Sequence, residues 1–265
     1  MTQFSDATRE GHYARKQIFS RSWLIAWSHR RRFSTGLALA QGLAGARVLD
    51  YGCGDGTFLA LLTSGRTPPK SAVGAEIRED IVADCRARLG ATPGLSFAVI
   101  SELGGAEHRG TYDAVFCMEV LEHVVRLDAI LDRMVALVKP GGRLLVSVPV
   151  EIGPTVLIKQ TMRRIAGWRG IGDYPGTSPY SYRELFAAVF AGPGQHIARP
   201  VHEGTGGQGF HDHKGFNWKA LRVALASRLT IEAIRTSPVP WLPPWLASQV
   251  WISCRRPAGT GPPDQ

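Results

Sequence analysis

The run Val48-Leu49-Asp50-Tyr51-Gly52-Cys53-Gly54-Asp55-Gly56-Thr57 constrains the fold of this chain more than any other segment. An apolar stretch leads into three alternating glycines and then into the helical pattern Thr57–Leu62. Glycines at such a turn admit positive φ and let the backbone come against a ligand. The helix that follows offers unpaired N–H groups at its start. A dinucleotide-binding loop carries its third glycine one place later, where Thr57 stands, so the spacing D-x-G-x-G-x-G departs from that fingerprint.

The pattern repeats along the chain. Short apolar runs at Arg47–Tyr51, Ala72–Glu76, Leu95–Ile100, Ala114–Met118 and Arg143–Pro149 alternate with helical segments, which is how a parallel α/β sheet reads. The clearest helix is Leu127–Val138, with Leu127, Ile130, Leu131, Met134 and Leu137 on one face. Lys139-Pro140-Gly141-Gly142 is expected to stop that helix and turn into the next strand. Near the end, a helix over Trp218–Leu229 precedes strands at Thr230–Thr236 and Gln249–Cys254. Only Pro238–Pro244 joins these two, so they should pair antiparallel.

This organisation gives an N-terminal helical lid (1–45), a core (46–150), an inserted cap (151–216), a helix and strands completing the core (217–256), and a frayed tail (257–265). The insertion is too long for a bare loop and should carry structure of its own. Within it, Gly204–Gly209 offers little side chain to pack and is the expected site of proteolytic cutting.

At 265 residues the chain suits one embellished domain. Its 31 Lys and Arg against 22 Asp and Glu give a net charge of +9. That balance favours an anionic partner: nucleic acid, a phosphorylated small molecule or an anionic membrane face. Cys53, Cys85, Cys117 and Cys254 form no C-x-x-C pair and read as reduced core thiols of a cytoplasmic protein. No signal-peptide core and no bilayer-length apolar run is evident, and peripheral membrane contact stays open.

The glycine turn resembles motif I of class I S-adenosylmethionine (SAM)-dependent methyltransferases. Four further segments agree in order: Val73-Gly74-Ala75-Glu76, Tyr112-Asp113-Ala114-Val115, Glu119-Val120-Leu121-Glu122-His123-Val124 and Leu137-Val138-Lys139-Pro140-Gly141-Gly142. The resemblance covers roughly 48–150 and implies a Rossmann-like α/β sheet, mostly parallel, with an antiparallel C-terminal hairpin. It further implies that Gly52 and Gly54 approach the methionyl part of SAM, Asp50 holds its ammonium group and Glu76 binds the ribose. Tyr51, Cys53, Ile77, Met118 and Glu119 complete the implied cofactor contacts. The family often has an acidic residue after the third strand, against adenine; here the run is Ile100-Ser101-Glu102, so Ser101 and Glu102 are the candidates.

Glu119, Glu122 and His123 fall past the carboxyl end of the fourth strand, where open sheets bind ligands. A helix beginning near Glu119 would set both carboxylates on one face. Such a cluster suits Mg²⁺, Mn²⁺ or Zn²⁺. Ubiquinone-biosynthesis O-methyltransferases have a similar Met-Glu-Val-Leu-Glu-His-Val run. Small-RNA 2′-O-methyltransferases share E-x-x-E-H and take a fourth ligand from a later segment similar to His211-Asp212-His213-Lys214. His213 is thus the expected fourth ligand and His211 its rival. The competing reading is metal-free: Glu122 caps a helix, and His123 or His213 acts as general base.

Two adjacent oxygens on an acceptor would suit a metal, whereas an amine needs no such help, so O-methylation of a hydroxylated small molecule or lipid leads. RNA 2′-O-methylation is the first alternative, and a non-catalytic SAM-binding partner the second. Outside the resemblance, Tyr13, Trp23 and Trp27 accompany the basic run His29–Arg32, and Thr155–Trp168 is amphipathic. The aromatics and the amphipathic helix most simply pack on their own domain, though the helix also suits an anionic bilayer, and His29–Arg32 reads as a solvated charge run that could also hold a phosphate.

Overall fold

The computed structural model describes residues 6–168, 178–204, 207 and 209–258. Side chains of α6 beyond Thr161, residues 205, 206 and 208 of the Gly204–Gly209 run and the tail from 259 lie outside the described residues.

The chain opens with a short helix α1 (Asp6–Arg9), a π-helical turn at Ala14–Ile18 and the long α2 (Trp23–Leu39). The alternating core follows: β1 (Arg47–Tyr51), α3 (Thr57–Thr63), β2 (Ser71–Glu76), α4 (Glu79–Leu89), β3 (Leu95–Val99) and β4 (Tyr112–Met118). Next come α5 (Leu127–Leu137) and β5 (Val138–Pro149). Residues 151–216 contain α6 (Thr155–Trp168), α7 (Tyr182–Val189) and a small hairpin of β6 (Val201–Glu203) and β7 (Gly209–His211). The chain then forms α8 (Trp218–Ala226), β8 (Thr230–Ser237) and β9 (Gln249–Arg255).

Seven strands form one sheet in the order β3-β2-β1-β4-β5-β9-β8. The first five pair parallel, and β9 pairs antiparallel with both β5 and β8. The α/β expectation and its antiparallel edge are therefore as observed. Successive residues of each strand point to opposite faces: Leu49, Val115 and Cys117 enter one core with Leu131 and Met134 of α5 and Leu221 of α8. Val48, Ala114 and Phe116 enter the other with Phe58 of α3, Cys85 of α4 and Phe33 of α2. All four cysteines are buried free thiols.

Two boundaries differ from the sequence reading. The strand β5 starts at Val138, not Arg143: Tyr112 pairs with Val138 and Ala114 with Arg143, so Lys139–Gly142 bulges from a continuing strand. The helix expected from Glu119 shrinks to one 3₁₀ turn at Leu121–His123, because Glu119 itself adopts φ +56°. A residue in the left-handed region cannot occupy a helical position, so no α-helix can include Glu119.

Within 151–216, Ser181 and Glu184 form a reciprocal capping box on α7. Val156, Ala188 and Ile197 make a small core that joins α6 to α7. The helix α2 lies close on the sheet: a Cβ built at Gly36 meets Phe58 at 3.0 Å and Trp251 at 3.1 Å. Gly36→Val should therefore overpack this contact and lower stability by about 1–3 kcal/mol. A thermal melt with an unchanged midpoint would contradict the close approach.

Candidate active site

The strand order reverses between β1 and β4, and a crevice opens at their carboxyl ends. A cleft of about 240 Å³ lies there, floored by Asp50, Gly52 and Gly54 and walled by Glu76, Met118 and Glu119. The glycine turn takes its shape from main-chain bonds: Gly52 N and Cys53 N both donate to Ala75 O, at 2.8 and 3.0 Å. Gly52 has φ +80°, and a Cβ there would meet Val120 at 2.4 Å. Gly54 has φ +53° and faces open space. Glu76 anchors the turn by accepting from Gly54 N at 3.0 Å and from Ile77 N at 2.7 Å.

Asp50 is the unusual group. Its side chain is buried, and neither carboxylate oxygen has a hydrogen-bond partner among the described residues. Burial, reinforced by the neighbouring Glu76 charge, pushes its carboxyl up to about 8.

The N-terminal helices reach into the same cleft through Tyr13 and Arg32. Arg32 is buried, and its guanidinium lies 3.3 Å from Glu119 Oε2 and 3.0 Å from His29 Nδ1. Tyr13 Oη also approaches that nitrogen, at 2.6 Å. The arginine can only donate, so His29 Nδ1 accepts. Burial holds His29 below its ordinary value, in keeping with a neutral ring. Asp55 ties the same segment to the glycine turn: one oxygen accepts from Ala14 N at 2.9 Å, the other from the Thr57 hydroxyl at 2.7 Å.

The strained Glu119 sends the two carboxylates of E-x-x-E-H apart. Its oxygens take Arg32 and the Ser147 hydroxyl on the cleft side, and it does not join the second cluster. That cluster is Glu122, His123 and His213, each with one donor atom within 4.8 Å of the others. Glu122 is fully buried, and neither carboxylate oxygen has a hydrogen-bond partner among the described residues. Burial first, and then the Glu119 charge, pushes its carboxyl well above the usual range. His123 Nδ1 lies 2.8 Å from the carbonyl oxygen of His211. A carbonyl only accepts, so Nδ1 carries the proton and Nε2 the lone pair. Burial lowers the His123 pKa and keeps that lone pair available. His213 Nε2 faces it at 3.3 Å, while His213 Nδ1 lies 3.8 Å from Glu151 Oε1. Two ring nitrogens turned toward each other beside an unpaired carboxylate make a pocket for a cation or a shared proton.

Several candidates stand elsewhere. The His211 ring turns to Pro200 O at 2.8 Å, so only its carbonyl touches the cluster. The Tyr51 side chain is buried in the sheet core, away from the cleft. Cys53 borders the cleft, whereas Ile77, Ser101 and Glu102 are not among its walls. The Glu102 carboxylate is engaged by Val99 N at 2.9 Å and by Arg86 at 3.7 Å. A larger depression of about 590 Å³ lies at the opposite edge of the sheet. Its charges are already paired, Lys139 with Asp113 and Arg255 with Glu232.

Sequence reasoning missed two residues. The run His29–Arg32 reads as a solvated or phosphate-holding charge cluster, yet Arg32 is buried on a helix face with His29, Phe33 and Gly36. Their i, i+3, i+4, i+7 spacing is the signal that marks it. Arg199 donates to the main-chain carbonyls of Glu122, Asp212 and Lys214, clamping the segments that carry His123 and His213. A lone arginine beside a proline carries no sequence signal for that role.

Comparison with known proteins fits this geometry. The chain belongs to the methyltransferase domain family, which matches residues 26–188. The ubiquinone biosynthesis O-methyltransferase of Xanthomonas oryzae pv. oryzae is 38% identical over 113 residues, 40% of this chain and 44% of that one. Its namesake in Vibrio parahaemolyticus is 39% identical over 112 residues, 42% of this chain and 47% of that one. The matches thus span less than half the length of these curated relatives. Among solved structures, magnesium protoporphyrin IX methyltransferase from Synechocystis, determined with bound SAH, superposes with a TM-score of 0.54 at 17% identity. That match covers 89% of this chain and 88% of that one. A Pyrococcus horikoshii protein superposes at 0.57 with 15% identity, over 96% of this chain and all of that one. The chain is a SAM-dependent methyltransferase.

A buried carboxyl at about 8 makes a sharp prediction for stability. Between its ordinary value and about 8 the folded chain holds a proton that the unfolded chain has lost, so stability falls as pH rises through this window. Asp50→Asn should flatten that slope and stabilise the ligand-free protein at pH 8 by on the order of 1 kcal/mol or more. Identical pH profiles of the melting temperature for the two proteins would contradict the burial argument.

Proposed function

We propose that this methyltransferase acts on a hydroxyl group of a small molecule or lipid, such as a phenol, a quinone precursor or a sugar, with the Glu122–His123–His213 cluster activating that hydroxyl. The observation that carries the reading is the unpartnered Glu122 carboxylate beside two imidazoles whose Nε2 atoms stand 3.3 Å apart. Amine acceptors are already nucleophilic and need no such group. A hydroxyl must lose a proton as it attacks.

SAM supplies a methyl group on a positively charged sulfur, already activated for displacement. The cleft suits it: the orphan Asp50 carboxylate fits an ammonium group, Glu76 fits ribose hydroxyls, and buried Arg32 fits a carboxylate. The open space at Gly54 leaves room that a side chain would fill. In the second cluster, Glu122, His123 and His213 offer one carboxylate and two imidazole donors, a set that fits Zn²⁺ or Mn²⁺ better than Mg²⁺, which favours oxygen ligands. A divalent ion there would make a bound hydroxyl more acidic. With no ion in the cluster, His123 Nε2 is the group that takes up the hydroxyl proton, and the carbonyl of His211 holds the ring in the required tautomer. Arg199 keeps the two histidine segments in register.

Two results test this reading. Gly54→Val should abolish SAH binding in calorimetry while the protein remains folded, and unchanged affinity would refute the cofactor placement. Glu122→Gln, His123→Asn and His213→Asn should each leave SAH affinity near wild type and cut methyl transfer by about 100-fold. Turnover is read on a catechol and sugar-diol panel with total RNA as the rival acceptor, after EDTA and again with each metal restored. Full activity in EDTA would refute the ion and leave the histidines as the bases. Activity confined to RNA would refute the acceptor class.

A further inference from the structure

Among the described residues, most of the exposed large apolar side chains lie on a few neighbouring segments around the carboxyl edge of the sheet. Trp23 at the start of α2 is 74% exposed, with Leu24 and Ile25 beside it. Trp241 and Trp245, in the connection between β8 and β9, are 80% and 51% exposed. On α7 and at its C-cap, Tyr182, Phe186 and Phe190 recur every four residues and are 69–92% exposed, so one face ends as an aromatic stripe. Leu157 and Ile158 in the first turn of α6 are also uncovered.

These segments touch one another. Arg31 Nε of α2 donates to Pro238 O at the head of the tryptophan connection, at 3.3 Å. A Cβ at Gly153, just before α6, would lie 3.7 Å from Trp245 O. Gly153 N donates to Ala188 O of α7 at 2.8 Å. The exposed apolar groups therefore sit on one connected set of elements, and uncovered apolar groups gathered in this way point to a docking surface.

Charge decides what docks. From Gly11 to Ala46 the chain carries Arg15, Lys16, Arg21, Arg30, Arg31 and Arg32 and no acidic residue. Arg21, Arg30 and Arg31 are exposed near the tryptophans, and exposed Arg183 follows Tyr182. A second copy of this chain would bring like charges together. Nucleic acid would match the charge but gains little from Leu24, Ile25, Leu157 and Ile158, since bases stack on aromatic rings and not on aliphatic chains. An anionic bilayer satisfies both halves: tryptophan and aliphatic groups enter the headgroup boundary, and arginines meet lipid phosphates. No described helix is long and apolar enough to cross a membrane, so the contact would be peripheral.

We propose that the start of α2, the Pro238–Leu246 connection, the first turn of α6 and the aromatic face of α7 together dock this enzyme on an anionic phospholipid surface. The contact does not depend on which acceptor is methylated, and its test uses no turnover.

The full chain is sedimented with vesicles of phosphatidylcholine alone or mixed with phosphatidylglycerol, while tryptophan emission is recorded. The protein should pellet with the mixed vesicles, its emission should shift to the blue, and added salt should weaken both effects. Trp241→Ser with Trp245→Ser, Phe186→Ser with Phe190→Ser, and Arg30→Gln with Arg31→Gln should each weaken partitioning by about tenfold. All three pairs lie outside the cleft, so unchanged SAH binding certifies a folded variant. Failure of the wild-type chain to bind either vesicle would overturn the proposal, as would equal binding by all the variants. Concentration-dependent self-association that these substitutions abolish, without vesicle binding, would assign the face to a second copy instead.

Discussion

Two carboxylates, Asp50 near the end of β1 and Glu122 just past the end of the adjacent parallel β4, are buried with no hydrogen-bond donor among the described residues. Burial of an unpaired ionised carboxylate costs several kcal/mol, and a protein answers either by protonation or by a bound cation. Both groups are pushed up in pKa by the same cause. What tolerates them is the sheet, whose β1, β4 and β5 cores are sealed on both faces by helices. The destabilised groups stand where the strand order reverses, and the fold thus concentrates unmet electrostatic demand in one crevice.

Glu119 divides that demand in two. Its left-handed backbone, the one positive φ outside glycine among the described residues, turns the chain between the strand end and the Leu121–His123 turn. The side chain remains with Arg32 and Ser147 on the cofactor side, while Glu122 falls to the histidine side. Residues in such strained conformations persist where the surroundings over-determine them. Here the surroundings are a buried arginine from α2 and a serine from β5, so the N-terminal helix is part of the site's framework. On the other side Arg199 plays the corresponding part through three main-chain carbonyls.

The fold was legible because its signals are local. Continuous apolar strands, alternating glycines and a proline-rich connection report directly on a buried parallel sheet and an antiparallel edge. The cofactor side of the site was legible for the same reason, since Asp50, Gly52, Gly54 and Glu76 lie at fixed offsets from strand ends. Long-range partnerships were not. Nothing near Glu119 in sequence announces that Arg32 will hold it, and E-x-x-E-H spacing suggests one shared face where a single positive φ creates two. The choice between His211 and His213 turned on where β7 stops: the ring of His211, its last residue, turns to Pro200, and the bend that follows carries the His213 ring to His123. Arg199 escaped because a side chain that binds only carbonyls leaves no motif.

In the proposed reaction site the cofactor cleft and the Glu122–His123–His213 cluster are neighbouring halves. Proton NMR of SAH bound to the protein, followed as Mn²⁺ is added, tests this most directly. A paramagnetic ion in the cluster should broaden the resonances of bound SAH, and Glu122→Gln with His213→Asn should abolish the broadening while SAH stays bound. Sharp SAH resonances at saturating Mn²⁺, or equal broadening in the variant, would contradict the account.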